Sequence, residues 1–132
     1  MDSKHYDVKL INESERQVLK VSLRDFVPDN DFKTIWQTVE EKFAKSTVDA
    51  LLLDCSGLRL ISPNSQTWLV EDWFAKAKHK FDAKLRLAII DAESFFGIAV
   101  VKNLSSKLTS VTENSPHEVF QNESEALTWI SQ

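Results

Sequence analysis

The sequence predicts an α/β domain with a mostly parallel central sheet, an N-terminal hairpin and helices covering the strands. Three observations carry that prediction. Residues 48–53 (VDALLL) and 84–91 (KLRLAIID) are near-continuous apolar runs of strand length, as expected of strands buried on both faces. Around them stand stretches whose apolar residues recur every three or four positions, the period of an amphipathic helix. The chain has 132 residues, 42% of them hydrophobic and 27% charged, which is the balance of one soluble core and argues for a single domain over 1–132.

Residues 6–11 alternate weakly and are a candidate strand. Residues 16–23 alternate better, with Leu19, Val21 and Leu23 to one side and Lys20 and Ser22 to the other. The polar Asn12-Glu13-Ser14-Glu15 between them makes the pair a hairpin. Pro28-Asp29-Asn30-Asp31 ends the second strand and offers side-chain oxygens to cap a helix. In that helix Phe32, Ile35, Trp36, Val39 and Phe43 form one apolar stripe. After the strand at 48–53, Ser62-Pro63 is a side-chain cap followed by proline at the first helical position, opening a helix that runs to about residue 80. Lys76, Lys78 and Lys80 suit the negative end of its dipole. Residues 84–91 supply the next strand. Ser94 begins a helix through about 104, residues 105–116 form a polar loop, and 118–120 make a short last strand. Asn122 caps a final helix, with Glu125 as the reciprocal partner of a capping box and Ala126, Leu127 and Ile130 as its packing face. The order ββαβαβαβα joins strands through helices, which implies parallel pairing.

Composition narrows the function. Gly57 and Gly97 are the only glycines, so no glycine-rich phosphate loop can be written, which excludes dinucleotide-dependent oxidoreductases and P-loop NTPases. A net charge of −4 speaks against nucleic acid as a partner. The basic run from Lys76 to Arg86 and the acidic run from Glu113 to Glu125 are expected to be solvated faces. No stretch approaches the roughly 20 apolar residues of a membrane span, and residues 1–20 have no signal-peptide core. The expectation is a cytoplasmic protein that is not integral to a membrane. One cysteine cannot form an internal disulfide.

Residues 51–66 read LLLDCSGLRLISPNSQ: a buried strand ending at Asp54, a short loop, and a helix from Ser62-Pro63. Partners and ligands of open α/β sheets meet the carboxyl ends of the strands, so this loop is the expected functional edge. The segment resembles the STAS domain, the SpoIIAA-like fold of anti-sigma-factor antagonists and of the cytoplasmic tails of sulphate transporters. That family's pattern is an apolar strand, D-x-S-G, three or four mostly apolar residues, D-S-S-G and a helix. Asp54, Ser56, Gly57 and Ile61 fall on matching positions. The element order and the ending HEVFQNESEALTWI are similar as well. The resemblance implies a regulatory module that binds a protein partner and is switched in many members by phosphorylation of a serine at the helix start. Here the sequence departs from the pattern: Ser62 stands at the aspartate, Pro63 at the phosphoacceptor, Asn64 at the next serine and Ser65 at the glycine. Proline has no hydroxyl, so the usual switch is missing from its usual place. Either this member is unregulated or a neighbour such as Ser65 has taken the role, where a phosphate would meet the first turn of a helix.

No enzyme signal survives inspection. Cys55 lacks a recognisable pairing with His5, His79 or His117, and a nucleophilic thiol needs a base and an orienting group. No metal-ligand spacing occurs, so neither a metal nor a cofactor is implied. Glu40-Glu41 and Glu71-Asp72 are helix neighbours that diverge by about 100°. Asp54 and Asp91 end strands at one edge, where acids more often cap loops than perform chemistry. The aromatics say more. Trp68 projects away from the stripe of Leu69, Val70, Trp73 and Phe74, as a contact residue or as a lid over its neighbours. Phe95, Phe96, Ile98, Val100, Val101 and Leu104 point in too many directions for one sheet face to bury them all. The sequence therefore predicts a non-enzymatic, STAS-like regulatory module that binds a protein partner through Asp54, Ser56, Ser62, Asn64, Ser65, Trp68, Phe95 and Phe96, with a homodimer left open. The alternative is a small-molecule or lipid-binding domain of the same fold. A pocket lined by Phe95, Phe96 and Ile98 would favour the alternative, and a flat apolar patch there would favour the protein partner.

Overall fold

The computed structural model describes residues 5–77, 85–109 and 117–132. β1 (Tyr6–Glu13) and β2 (Arg16–Val27) form the hairpin. Its turn is Ser14-Glu15 alone, with φ of 49° and 68°, the left-handed pair that lets a two-residue turn follow the twist of its strands. There follow α1 (Asp29–Lys45), β3 (Ala50–Ile61), α2 (Pro63–Trp68), β4 (Arg86–Ile90), α3 (Phe95–Leu108), β5 (His117–Phe120) and α4 (Glu123–Ser131). α2 continues through a π-helical segment, Leu69–Phe74, into a last turn, Ala75–Ala77. The sheet order is β1-β2-β3-β4-β5, with β1 antiparallel to β2 and the other pairings parallel. The α/β class and the ββαβαβαβα order read from the sequence are those of the structure.

Alternation along the strands sorts the apolar residues into two cores. Leu19, Val21, Leu51, Leu53, Leu87 and Ile89 face α1, α2 and α3, where they meet Phe32, Trp36, Leu69, Val100 and Leu104. Val18, Ala50, Leu52, Ala88 and Ile90 face α4, which contributes Ala126 and Ile130. Among the described residues, three helices cover one face and one covers the other. The larger core is aromatic at its centre. The Trp36 ring lies 6.2 Å from Phe32, 4.8 Å from Trp73 and 5.7 Å from Phe74, and Trp73 Nε1 donates to Trp36 O at 3.1 Å.

β3 runs further than the sequence suggests. The loop expected after Asp54 is strand, and residues 55–61 stay paired with β2 as far as Val27↔Ile61. Two register shifts, between Ser22 and Arg24 and between Asp25 and Phe26, absorb the extra β3 residues, and Asp25 adopts a φ of 55°, as strand bulges allow. β2 is longer than 16–23 for the same reason. Asp54 is the last β3 residue to pair with β4, which is why the apolar run breaks there. α3 continues past residue 104 to Leu108, whose burial completes a stripe of Gly97, Val100, Val101, Leu104 and Leu108. At α1 the N-cap is Pro28, and no side chain caps the helix, contrary to the role expected of Asp29, Asn30 and Asp31. Lys78, His79, Lys80 and Lys84, with residues 110–116 of the expected loop, lie outside the described residues. Among the described residues no helix is long and apolar enough to cross a membrane.

Candidate functional site

Ser62 caps α2 as expected, its Oγ accepting from Ser65 N at 3.1 Å, with Pro63 in the first helical position. Asp29 joins them from the first turn of α1. Its Oδ1 accepts from Ser62 Oγ at 2.6 Å and from Ser65 Oγ at 2.7 Å. Those hydroxyls, Ser62 first, hold the Asp29 carboxyl below the usual carboxylate range. Ser65 is buried, whereas Pro63 and Asn64 are exposed. Gln66, also buried, ties α2 to its neighbours: Nε2 donates to Ile61 O at 2.7 Å and Oε1 accepts from Asn103 Nδ2 at 2.6 Å.

Asp54 belongs to the opposite face of the sheet. It lies 3.9 Å from Lys20 Nζ, which also pairs with Glu123 in the first turn of α4. Asp54 Oδ1 accepts from Ser56 N at 3.0 Å. Asp54 and Ser56 are thus a separate group from Ser62 and Ser65, although the sequence pattern groups them. Cys55 between them is fully buried. Burial, and then the carboxylates of Asp54 and Asp91, push its thiol far above the ordinary value, and a thiol held neutral is inert as a nucleophile. Among the described residues no group of three or more His, Cys, Asp or Glu side chains is placed to hold a metal.

Trp68 is a lid. It is half-buried against the larger core, edge-on to Phe32 at 6.3 Å and 71°, with Lys33 Nζ 5.9 Å from its ring centre. It does not stand clear of the core, because α1 supplies a partner that its own helix lacks.

Phe95 and Phe96 do stand clear. They are 82% and 68% exposed, with Ile98 at 43%, and their rings sit perpendicular at 5.5 Å and 84°. The backbone beneath them is held at several points. Ser94 Oγ accepts from Gly97 N at 3.0 Å and donates to Leu58 O at 2.9 Å, and Glu93 N donates to Ser56 O at 3.3 Å. A Cβ on Gly97 would lie 2.2 Å from Leu58 O, so the first turn of α3 rests directly on β3 backbone. Phe26 and Leu60, paired across β2 and β3, are exposed at the same carboxyl edge. Of the large apolar side chains that the described residues expose, only Leu10 lies elsewhere. A cleft of about 290 Å³ between α3 and β5 is lined by Asp91, Ile98, Val101, Lys102, Ser105, Ser106 and Val119. Phe95 and Phe96 do not line it.

No family model matches the chain, and no curated protein matches it in sequence. A solved structure does match. The crystal structure of an uncharacterized protein of the DUF3478 family from Shewanella loihica PV-4, described as having a SpoIIAA-like fold, superposes with a TM-score of 0.69. Identity is 16%, over 98% of this chain and 98% of that one. The chain has the SpoIIAA-like α/β fold.

Proposed function

We propose that this protein is a non-enzymatic regulatory module that docks a protein partner on the carboxyl edge of its sheet and lacks the usual phosphoserine switch. The observation that carries this reading is the Phe95–Phe96 pair, two rings 82% and 68% exposed on backbone tied to β3. Contiguous exposed apolar surface is uncommon on monomers and marks interaction sites. Aromatic anchors held in place before binding lose little freedom when a partner closes over them. Chemistry at the start of α2 supports the absence of the switch. Pro63 has no hydroxyl, and the hydroxyls of Ser62 and Ser65 both donate to Asp29. A phosphate on either serine would place its negative charge against that carboxylate.

The cleft beside Ile98 favours the alternative, a small apolar or lipid ligand, but its roughly 290 Å³ falls at the lower limit of ligand pockets. Gel filtration of the tagged chain from its native cell separates the two. The wild type is expected to travel in a complex, and the Phe95→Ser/Phe96→Ser variant as the monomer. A wild-type monomer carrying a small apolar molecule in native mass spectrometry would overturn the proposal.

A further inference from the structure

We infer that the groove between α3 and the edge strand β5 is a second binding site, which takes an extended peptide as an added strand, with an aliphatic side chain in the cleft and an acidic one beside Lys102. The site is separate from Phe95 and Phe96, which do not line the cleft. The sheet ends at β5, which pairs only with β4 among the described residues. Asp91 N donates to Phe120 O at 2.8 Å, so Phe120 turns its backbone groups toward β4. Backbone groups change sides at each residue of a strand, so Val119 N–H and C=O point to the open edge. A bare edge is a template for another strand, and proteins blunt such edges with lysine, proline or bulges. β5 (HEVF) has none of these and holds an unshifted register with β4. The opposite edge strand, β1, carries the exposed Lys9.

The cleft sets the side chains. Val119 packs at the rim of the larger core, whereas Phe120 packs on the α4 face. Facing Val119, α3 presents Ile98, Lys102 and Ser106 at four-residue steps, about 6 Å apart along the helix. Every second residue of a strand recurs at about 6.6 Å, so three side chains on one face of the added strand meet those residues in turn. α3 runs against the parallel strands it connects, so that order is antiparallel to β5. With Val101 and Val119 as floor, the cleft of about 290 Å³ suits one aliphatic side chain near Ile98 and is small for a whole ligand. Lys102 is exposed and makes no ion pair among the described residues, which favours an acid two residues further on. Asp91, the other charge in the cleft, lies at the Ile98 end, where its Oδ1 accepts from Ala92 N at 2.8 Å. Strand addition beside a helix binds peptides by main-chain bonds and selects them by pockets for alternate side chains. A second copy fits less well: its own β5 would bring His117 and Val119 to this face and its one acid, Glu118, to the other.

The test is selection of random linear peptides, displayed on phage, against the full chain. Enriched peptides are expected to carry Leu, Ile or Val with Asp or Glu two residues later. Such a peptide should slow hydrogen exchange of the Val119 amide. Lys102→Glu should weaken its binding at least about tenfold and shift the selected acid to Lys or Arg. Val119→Pro, which an edge strand tolerates where the N–H faces outward, should weaken it about tenfold as well. Circular dichroism of each variant checks that the fold is kept. No enrichment, or peptides indifferent to Lys102→Glu, overturns the inference. Peptides lost with Phe96→Ser but kept by Lys102→Glu sit on the carboxyl edge, which overturns this inference and leaves the docking proposal standing. A chain that dimerises in sedimentation, and does so no longer as Lys102→Glu, puts a second copy in the groove and overturns the inference too.

Discussion

A methyl group on Gly97 would sit 2.2 Å from Leu58 O and 2.7 Å from Ala92 Cβ, and a strand carbonyl cannot swing aside. Gly97→Ala is expected to cost about 2–3 kcal/mol by forcing α3 off β3, seen as a lower urea midpoint at unchanged slope. Gly57 is the control, since a Cβ there meets only Arg24 Cγ at 3.4 Å. Gly57→Ala should change stability by less than about 1 kcal/mol. Asp29 gives a prediction in pH. Its folded carboxyl titrates below the usual value because Ser62 and Ser65 donate to the charged form. Its contribution to stability is therefore full at neutral pH and is lost as pH falls from the unfolded value of about 3.9 through the lower folded one. The gap in urea midpoint between wild type and Asp29→Asn should narrow with acid over that range, and a gap independent of pH would count against the bond. The missing hydroxyl of Pro63 and the cap of Ser62 are legible in the sequence because both depend on adjacent residues. The Asp29 bonds are not, since they span 33 and 36 residues. Trp68 shows the same limit. A helical wheel gives its angle from the stripe but not the Phe32 ring that α1 lays against it.

Among the elements, the caps at Ser62, Ser94 and Asn122 are legible in the sequence, whereas the cap of α1 and the end of β3 are not. The sequence offers Ser94 and Asn122 as helix caps, and both accept from the third helical N–H, of Gly97 at 3.0 Å and Glu125 at 2.9 Å. Only Ser94 also donates outward, to Leu58 O at 2.9 Å. Asn122→Ala should cost about 1 kcal/mol. Ser94→Ala should cost about 2 kcal/mol, because it also leaves a strand carbonyl without its partner. Equal losses on thermal or urea denaturation would mean that the bond to Leu58 contributes nothing. The sequence pattern ends β3 too early because residues 55–61 break the apolar run. The run records the stretch shared with β4, which ends at Asp54, while β2 carries the pairing onward through bulges that no simple alternation predicts. α3 was legible as a helix with too many apolar residues. Its stripe ends at Leu108, and the excess is confined to Phe95, Phe96 and Ile98 at its start.

Across the whole molecule, the order of elements was enough to give the parallel sheet, because each helix returns the chain for another strand in the same direction. The site was only partly legible. Residues that are contiguous in a strand alternate between faces, so Asp54 pairs with Lys20 near α4 while Cys55 lies in the opposite core. Ser62 and Ser65 close under Asp29, and Phe95 and Phe96 stand in the open. The exposed aromatic pair is what the docking proposal depends on. Photo-crosslinking in the native cell tests it most directly, with benzoylphenylalanine in place of Phe96 and, as a control, in place of Leu10, which is 38% exposed away from that edge. Docking on the carboxyl edge predicts discrete protein adducts from position 96 and none from position 10. No protein adduct at 96, or the same adducts from both positions, would contradict it.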